Sequence, residues 1–274
     1  MGVDPPRQPA SRLLTHQWAP RGADATVTTV PDEQRADQPT RGTIVFDPAE
    51  HEAGQVQGLL ASVIVPRPIA MISTANADGS VNVAPFSYFM PVTGHPALLA
   101  VTMGGRHERE DQPKDTWANV ARTEQFVVNV TVEAMADKIE AAAVEFPYGV
   151  SELEILGWHA VASVKVVHPG VAESPVRLEC RVHRIIDLGD EGVAFSTVHL
   201  VIAEVICVTL DPSVCSPDLK IDPHRLRPIG RMTFPRFVTA YGEALFSLER
   251  TSWEDYRRTG RLPGGRNRPS GPTS

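Results

Sequence analysis

The chain has few of the features that mark membrane, disulfide-bonded or nucleic-acid-binding proteins. Its 3 cysteines form no Cys-x-x-Cys pair, and their odd number argues against a disulfide framework. No apolar run approaches the ~20 residues that a membrane helix requires, because the best stretch, Leu200–Leu210, contains Glu204. A net charge of -7 provides no basic surface for nucleic acid or anionic lipid. We therefore expect a reduced, cytoplasmic protein that binds neither membranes nor nucleic acid.

Several common catalytic and metal-binding motifs are also absent from the sequence. It contains no G-x-G-x-x-G after a strand, no phosphate-binding P-loop and no H-E-x-x-H. Cys180 and His183 have an odd separation on a predicted strand, so their side chains point to opposite faces and are poorly placed to share a metal. We predict no metal site, and no catalytic residue can be named from these motifs.

Composition divides the chain into three parts. Residues 1–43 are rich in proline and lack apolar periodicity, so they cannot bury enough surface to fold and are predicted to be a disordered tail. Their closest approach to a secretory signal is Leu13-Leu14, which is far too short. Residues 251–274 end in a stretch of Gly, Pro, Arg and Ser and are predicted to be a flexible tail. Residues 44–250 then form one domain.

Within this domain, apolar residues recur with the period of two that is typical of β-strands. Ile69–Thr74 and Ser80–Ala84 flank an Asp78-Gly79 step, which predicts a hairpin, and Pro85 is expected to end the second strand. The other predicted strands are Leu98–Met103, Gln125–Thr131, Trp158–Val167, Val176–Leu188 and Val193–Leu210. About seven strands joined by short turns predict an all-β fold, an antiparallel barrel with a few short helices.

Two segments are predicted to be helical. One long strand is predicted to have one face in the core and the other in solvent. Asp115 is expected to cap a helix over Thr116–Arg122, and Glu133–Val144 has the apolar spacing of a second helix. In the strand from Val176, apolar residues alternate with charged ones, so Glu179 is expected on the solvent side. The nine histidines are expected mostly at the surface or in turns. His199 is expected to be an ordinary strand residue, and the alternative places it on the barrel face beside a ligand.

The first candidate binding feature is the strand end Asn82–Phe89. A strand broken by proline leaves backbone groups unpaired, and a flat heteroaromatic ligand could supply partners while the nearby aromatic side chains pack on it. The alternative is a strand end whose aromatic residues belong to the core. Both interpretations stay open on the residues alone.

The second candidate feature is Lys114-Asp115-Thr116 at a helix start. A helix N-terminus has free N–H groups and a partial positive charge, which Lys114 and the Thr116 hydroxyl would complete as a phosphate cradle. The alternative is a lysine beside an ordinary Asp cap. The combination of the two features is more informative than either one, because together they would suit a ring and its phosphate.

An ordered series of motifs resembles the flavin reductase-like family of FMN-binding split β-barrels. The series spans about Phe46 to Arg250, which is the whole predicted domain. Its parts are Val65–Ala70, Asp78-Gly79, Asn82–Phe89, Lys114–Asn119, Phe126–Asn129, Glu173–Cys180, Val201–Val205, Arg227–Arg231 and Phe246–Arg250. The sequence departs from the family pattern at Gly94–Ala97, at Ala203 and at Thr233–Phe237, where the far side of the pocket is expected.

The resemblance implies a homodimer with FMN near the subunit interface, reduced by NADH or NADPH. Carried over by motif, the isoalloxazine ring would be lined by Asn82, Ala84, Pro85 and Ser87. Tyr88 would stand beside the ring or the ribityl chain.

By the same carry-over, Lys114 and Thr116 would hold the phosphate. The leading interpretation is an NAD(P)H:flavin oxidoreductase, which would feed reduced flavin to a separate monooxygenase or another redox partner. A non-enzymatic FMN electron carrier and a flavin-independent binding barrel are the alternatives.

Overall fold

A seven-stranded antiparallel sheet organises the protein. The computed structural model describes residues 42–104, 114–147, 149–188, 198–248 and 250–260. Contacts divide the chain into two units, Met1–Asp47 and Pro48–Ser274, and every element below belongs to the second. The predicted tail of residues 1–43 lies almost wholly outside the described residues. Its disorder therefore stays a prediction.

The described part of the chain has five α-helices and twelve strands. The helices are α1 Ala53–Val63, α2 Asp115–Thr123, α3 Glu152–Ile155, α4 Pro223–Leu226 and α5 Trp253–Thr259. The strands are β1 Arg67–Pro68, β2 Ala70–Ala75, β3 Val81–Phe86, β4 Phe89–Gly94, β5 Ala97–Gly104, β6 Gln125–Val130, β7 Ala160–Val161, β8 Gly170–Val171, β9 Val176–Asp187, β10 Val198–Leu210, β11 Ile229–Arg231 and β12 Phe237–Thr239.

The large sheet has the strand order β3-β2-β6-β9-β10-β5-β4, so β3 and β4 are its edges. A smaller sheet of order β1-β11-β12 is separate from it. Strand β2 is buried on both faces, since Met71 packs in one hydrophobic cluster and Ile72 in the other. Core packing on both sides of an antiparallel sheet, with only short helices, confirms the predicted all-β class.

The β2–β3 hairpin was predicted correctly, but its second strand does not stop at proline. Gly79 has φ +90°, and the Asp78 carboxylate accepts a 2.9 Å hydrogen bond from the Ser80 N–H. The strand continues through Pro85, which lies opposite Met71, to Phe86. Because β3 is an edge strand, no neighbouring strand on its outer side requires the N–H group that proline lacks. The expectation of a strand broken at Pro85 was wrong.

Two other local predictions were also wrong. Glu133–Val144 forms two 3-10 turns, Glu133–Lys138 and Ala141–Ala143, in place of one α-helix. Val132 provides no side-chain cap for it, and packing of Met135 into the core determines the tighter path. Of the predicted strand Trp158–Val167, only β7 is extended.

A buried carboxylate explains why the rest of that segment is a turn. Glu179 is 1% exposed, although alternation places it on the solvent face of β9. Its two oxygens accept hydrogen bonds from the N–H groups of Val164 at 2.8 Å and Lys165 at 2.5 Å. Those bonds fold residues 162–169 over the face of β9 and cover Glu179. Side chain-to-backbone bonding therefore overrides the period-two pattern here.

His168 is buried in the same region, so it is an exception to the expectation that the histidines lie mostly at the surface or in turns. Its Nδ1 accepts a 2.8 Å hydrogen bond from the Ala75 N–H, and its Nε2 lies 2.7 Å from the Thr123 hydroxyl. Burial, with a smaller contribution from Arg122, lowers the pKa of His168 to about 4. Because Nδ1 accepts a bond, the neutral ring carries its proton on Nε2 and donates it to Thr123.

We expect His168 to make the folding stability decrease as the pH is lowered. Its folded pKa of about 4 lies below the unfolded value of about 6.5, so the unfolded chain binds the proton first and stability declines from pH 6.5 towards 4. Full linkage corresponds to roughly 3 kcal/mol, and solvent screening of the ring should lower the contribution to about 2 kcal/mol. Urea unfolding of the wild type and of His168→Gln, which keeps one acceptor and one donor, should show a shallower decline for the variant. Equal declines would contradict the assignment.

Candidate functional site

A cavity bounded by described residues lies where the large sheet, the β1-β11-β12 sheet and α1 meet. Its volume is about 550 Å³, which is within the range of small-molecule sites. Helix α1 contributes Gly54, Gln57, Gly58 and Ala61 to one wall. The end of β3 with the following Ser87 and Tyr88, the 3-10 turns, and residues of β1, β5, β10, β11 and β12 provide most of the remaining lining.

A smaller cleft of about 70 Å³ adjoins this cavity. The two share Pro85, Phe86, Lys114 and Ala143, so they form one continuous region. Residues from β3, the first turn of α2 and the 3-10 turns line the cleft. Two sites that sequence analysis treated separately, the strand end and the helix start, therefore face the same space.

The structure brings all seven of the predicted site residues to this region. Pro85, Ser87, Tyr88 and Lys114 line the main cavity. The predicted residues that line the cleft are Asn82, Ala84, Pro85, Lys114 and Thr116. Tyr88 is 42% exposed, so its ring presents a broad surface to a ligand. The ligand contacts assigned to these residues stay predictions.

Asn82 connects the strand end to the helix start. Its Nδ2 donates a 2.9 Å hydrogen bond to the Thr116 hydroxyl oxygen and a 3.2 Å bond to that of Thr74. Asn119 of α2 donates to the same Thr74 oxygen at 3.0 Å and to Asn76 at 2.6 Å. The network is buried, and its bonds clamp α2 against the hairpin. Asn82 thus orients Thr116, whose hydroxyl proton is not used in its bond with Asn82.

A carboxylate and a hydroxyl complete the outer side of the edge strand. The Val83 N–H donates a 3.1 Å hydrogen bond to Glu152 Oε2, and the Ser151 hydroxyl donates to the Val81 carbonyl at 2.8 Å. Glu152 is 6% exposed and lines the cleft. The start of α3 therefore supports β3 on the side where no further strand pairs with it.

Arg67 is a cavity residue to which sequence analysis assigned no role. Its guanidinium donates to the carbonyls of Ala61 and Ile64 at the end of α1, and also to the Ser87 hydroxyl at 3.4 Å. It lies 5.7 Å from the centre of the Tyr88 ring. Arg67 therefore joins three segments of the cavity wall. The motif Val65–Ala70 contained it, but only the fold shows that its side chain turns back towards α1.

The segment after β11 forms an aromatic wall. Phe234 and Phe237 line the cavity, and the guanidinium of Arg231 lies 5.3 Å and 4.6 Å from their ring centres. Arg231 also donates a hydrogen bond to Glu140. This wall contains the Thr233–Phe237 departure, which was expected at the far side of the pocket.

His199 lies outside the lining of both cavities. Its ring stacks on Trp117 of α2, with the ring centres 3.7 Å apart. Within the described residues neither of its ring nitrogens has a hydrogen-bond partner, and Asp187 Oδ1 lies 3.7 Å from Nδ1. Burial lowers the pKa of His199, and Asp187 offsets part of that effect. The stack packs α2 against the sheet.

Metal-ligand clusters and membrane-spanning helices are both absent from the described residues. They contain no group of three or more His, Cys, Asp or Glu side chains placed to hold a metal ion. None of the helices described is long and apolar enough to cross a membrane. Cys180, Cys207 and Cys215 are all free thiols.

The sequence around these residues matches a known protein family. The sequence profile of the "Flavin reductase like domain" matches residues 62–228, which include both candidate features. The chain belongs to the flavin reductase like family. The match covers the whole large sheet, so the resemblance found in the sequence motifs is confirmed.

Relatives of this flavin reductase like domain occur in distant bacteria. An uncharacterized protein of Aquifex aeolicus is 31% identical over 194 residues, which cover 71% of this chain and 94% of the relative. The uncharacterized protein YwrF of Bacillus subtilis is 35% identical over 171 residues, covering 62% of this chain and 81% of the relative. The names of these two relatives assign neither an activity nor a substrate.

Solved structures share the fold. Nitrilotriacetate monooxygenase component B from Bacillus cereus is 27% identical with a TM-score of 0.68, covering 74% of this chain and 98% of that one. A Shewanella frigidimarina protein with a split barrel domain is 17% identical with a TM-score of 0.62, covering 77% and 100%. The predicted split-barrel architecture is thereby confirmed for this flavin reductase like domain.

Proposed function

We propose that the protein binds FMN and transfers hydride from NADH or NADPH to flavin. The observation that carries the proposal is the convergence of Pro85, Ser87, Tyr88 and Lys114 on one cavity of about 550 Å³ in a flavin reductase like domain. The same region contains Thr116 and the strand-end residues Asn82 and Ala84, which line the adjoining cleft.

The donor set fits FMN chemically. A flavin needs apolar surface for its rings, donors for its carbonyl edge and a cation for its phosphate. Phe86 and Ile69 supply apolar surface, Ser87 a hydroxyl, and Lys114 a cation at the junction of cavity and cleft. The residues present are therefore suited to the group that the family binds.

Each of these residues has a role in binding. Lys114 and the Thr116 hydroxyl hold the phosphate at the start of α2, where the helix N-terminus adds its own N–H groups. Asn82 fixes the direction of the Thr116 hydroxyl. Tyr88 lies against the ring system or ribityl chain, and Arg67 keeps Tyr88 in place.

The chain's contribution to the reaction is positioning and electrostatics. When bound, FMN supplies the hydride chemistry, so no acid–base pair from the protein is required. The cavity walls would hold the donor and acceptor rings in contact and limit the access of water. Backbone amides around Ala84–Ser87 would stabilise negative charge on the flavin edge.

An absorbance spectrum of the purified full-length chain tests the proposal. We expect a yellow protein, or an apoprotein that takes up one FMN per chain, and bleaching of the flavin band on addition of NADH or NADPH. Flavin uptake with only slow bleaching would favour the electron-carrier alternative. A colourless protein that does not bind FMN would contradict the proposal.

One comparison favours a specific use of the reduced flavin. Component B of nitrilotriacetate monooxygenase from Bacillus cereus is 27% identical and aligns over 98% of its own length. We therefore propose that this protein supplies reduced flavin to a separate monooxygenase or another redox partner.

We also propose a cytoplasmic location, which is supported by three free thiols.

We further propose that the protein is a homodimer. Helix α1 lines the cavity, yet none of its residues is buried, and β4 is an edge strand with mostly exposed side chains. A second subunit placed on these surfaces would lie beside the flavin site and repeat its contacts at both sites.

A further inference from the structure

Two arginines lie side by side on one wall of the cavity. Arg67 of β1 and Arg231 of β11 are direct partners in the antiparallel ladder, so their side chains project from the same face. Both line the cavity. Like charges directly opposite each other destabilise a sheet, so this pairing requires a compensating negative group.

The described neighbours compensate only one of these two charges. Arg67 makes its hydrogen bonds to neutral oxygens, among them those of Ala61, Ile64 and Ser87. Arg231 has one carboxylate partner, Glu140, which also lines the cavity. The pair and Glu140 together therefore keep a net positive charge facing the cavity, which suits an anionic ligand.

The same wall exposes an aromatic ring. Phe234 is 70% exposed although it lines the cavity, and Arg231 lies over its ring at 5.3 Å from the centre. Phe237, 4.6 Å from the same guanidinium, supports Arg231 from a second ring. An apolar ring that is exposed to solvent and lies beside a cation offers a surface on which another planar ring can stack.

We propose that Arg231, Phe234 and Phe237 form the subsite for the nicotinamide dinucleotide. Phe234 stacks on a planar ring of that ligand, and Arg231 attracts its pyrophosphate, for which it must exchange part of its contact with Glu140. This inference rests on the proposed function, because it assigns the second substrate of the same cavity. It makes Phe234 and Arg231 specificity-determining residues, distinct from the Lys114–Thr116 phosphate site.

Phe234→Ala in the full-length protein tests the stacking. Stacking of a base on an aromatic side chain is worth enough that its loss should raise the KM for NADH and NADPH about 5- to 100-fold. Since Phe234 is largely exposed, the fold and the FMN dissociation constant should stay unchanged. Phe234→Tyr should restore the KM, and Phe246→Ala, an exposed aromatic outside the cavity lining, should leave it unchanged.

Glu140→Gln is expected to change the KM for NADH in the opposite direction. Because Glu140 competes with the ligand for Arg231, its neutral replacement should lower the KM for NADH up to about fivefold, the range of an exposed ion pair. Arg231→Gln should raise it. A purely structural ion pair predicts that both variants weaken donor binding alike, and that result would overturn the assignment of Arg231.

Two probes separate the dinucleotide from another ring-bearing anion. NAD⁺ and sodium benzoate are compared as inhibitors against NADH, and NAD⁺ binding is also measured by calorimetry on the FMN-loaded protein. We expect competitive inhibition by NAD⁺ that weakens in Phe234→Ala. Stronger inhibition by benzoate would overturn the dinucleotide assignment, as would an unchanged KM in Phe234→Ala. Failure of the wild type to bind FMN would instead contradict the proposed function.

Discussion

Replacement of Lys114 and Thr116 by alanine is expected to weaken FMN binding by roughly tens- to a thousandfold, with little change for riboflavin. Charge-assisted hydrogen bonds to phosphate contribute about 1.5–3 kcal/mol each, and riboflavin lacks the phosphate. Both residues line the cleft at the start of α2. Fluorescence titration of each variant with both ligands measures the difference directly.

Controls for this experiment follow from the contacts of each residue. Thr116 is 1% exposed and accepts a hydrogen bond from Asn82, so its alanine variant also loses some stability. Thr116→Ser keeps the hydroxyl and should bind FMN almost as the wild type does. Lys220→Ala removes an exposed lysine outside both cavities and should change neither ligand. Equal losses of FMN and riboflavin affinity would place the phosphate elsewhere.

Local sequence signals predicted the parts of the fold in which backbone and side-chain preferences agree. The hairpin at Gly79 was found because an Asp-Gly step between apolar runs has few other structures open to it. The long strands β9 and β10 were found because their periodicity extends over many residues. Strand β4 and helix α1 were missed, since their exposed apolar residues show neither a clear alternation nor a buried stripe.

The predictions that failed depend on contacts between distant residues. Glu179 is buried because it binds backbone N–H groups some 15 residues earlier, which no periodicity reveals. His168 is buried because Ala75 and Thr123 satisfy both of its ring nitrogens. The predicted flexible tail from residue 251 begins with α5, which Ser252 caps.

The fold brings together in the candidate site several motifs that each carry little information alone. Strand end and helix start are about 30 residues apart in sequence, and only the Asn82–Thr116 hydrogen bond shows that they are in contact. Arg67 and Arg231 were within the quoted motifs without an assigned role. Their importance comes from the β1–β11 register, which places them opposite each other.

Helix α1 carries the apolar surface on which the dimer prediction depends. The helix is 11 residues long and contains no buried residue. Its apolar residues Leu60 and Val63 are 49% and 63% exposed. The edge strand β4 exposes Met90 and Val92 in the same way. We expect this exposed apolar surface to form the dimer interface, since a stable dimer covers about 800 Å² on each partner.

Leu60→Glu with Val63→Glu is therefore expected to convert the protein from dimer to monomer. Two charges placed in an apolar interface would each have to be desolvated without a partner, which opposes association strongly. In the wild type, ultracentrifugation at micromolar concentration should give about twice the chain mass of 29.8 kDa, and in the variant the chain mass itself. Leu248→Glu, at an exposed position beyond the cavity lining, should stay dimeric.

Flavin binding gives this prediction a second readout. The opposite side of α1 lines the cavity through Gly58 and Ala61, so a partner on α1 would lie close to the flavin and restrict its escape. Ligand sites bury ~70–90% of the ligand surface, whereas the lining residue Tyr88 is 42% exposed in the single subunit. Dissociation should therefore lower FMN affinity along with the mass, while the melting temperature of the apoprotein changes little. A wild-type monomer fully loaded with flavin would contradict both the interface and its role in closing the site.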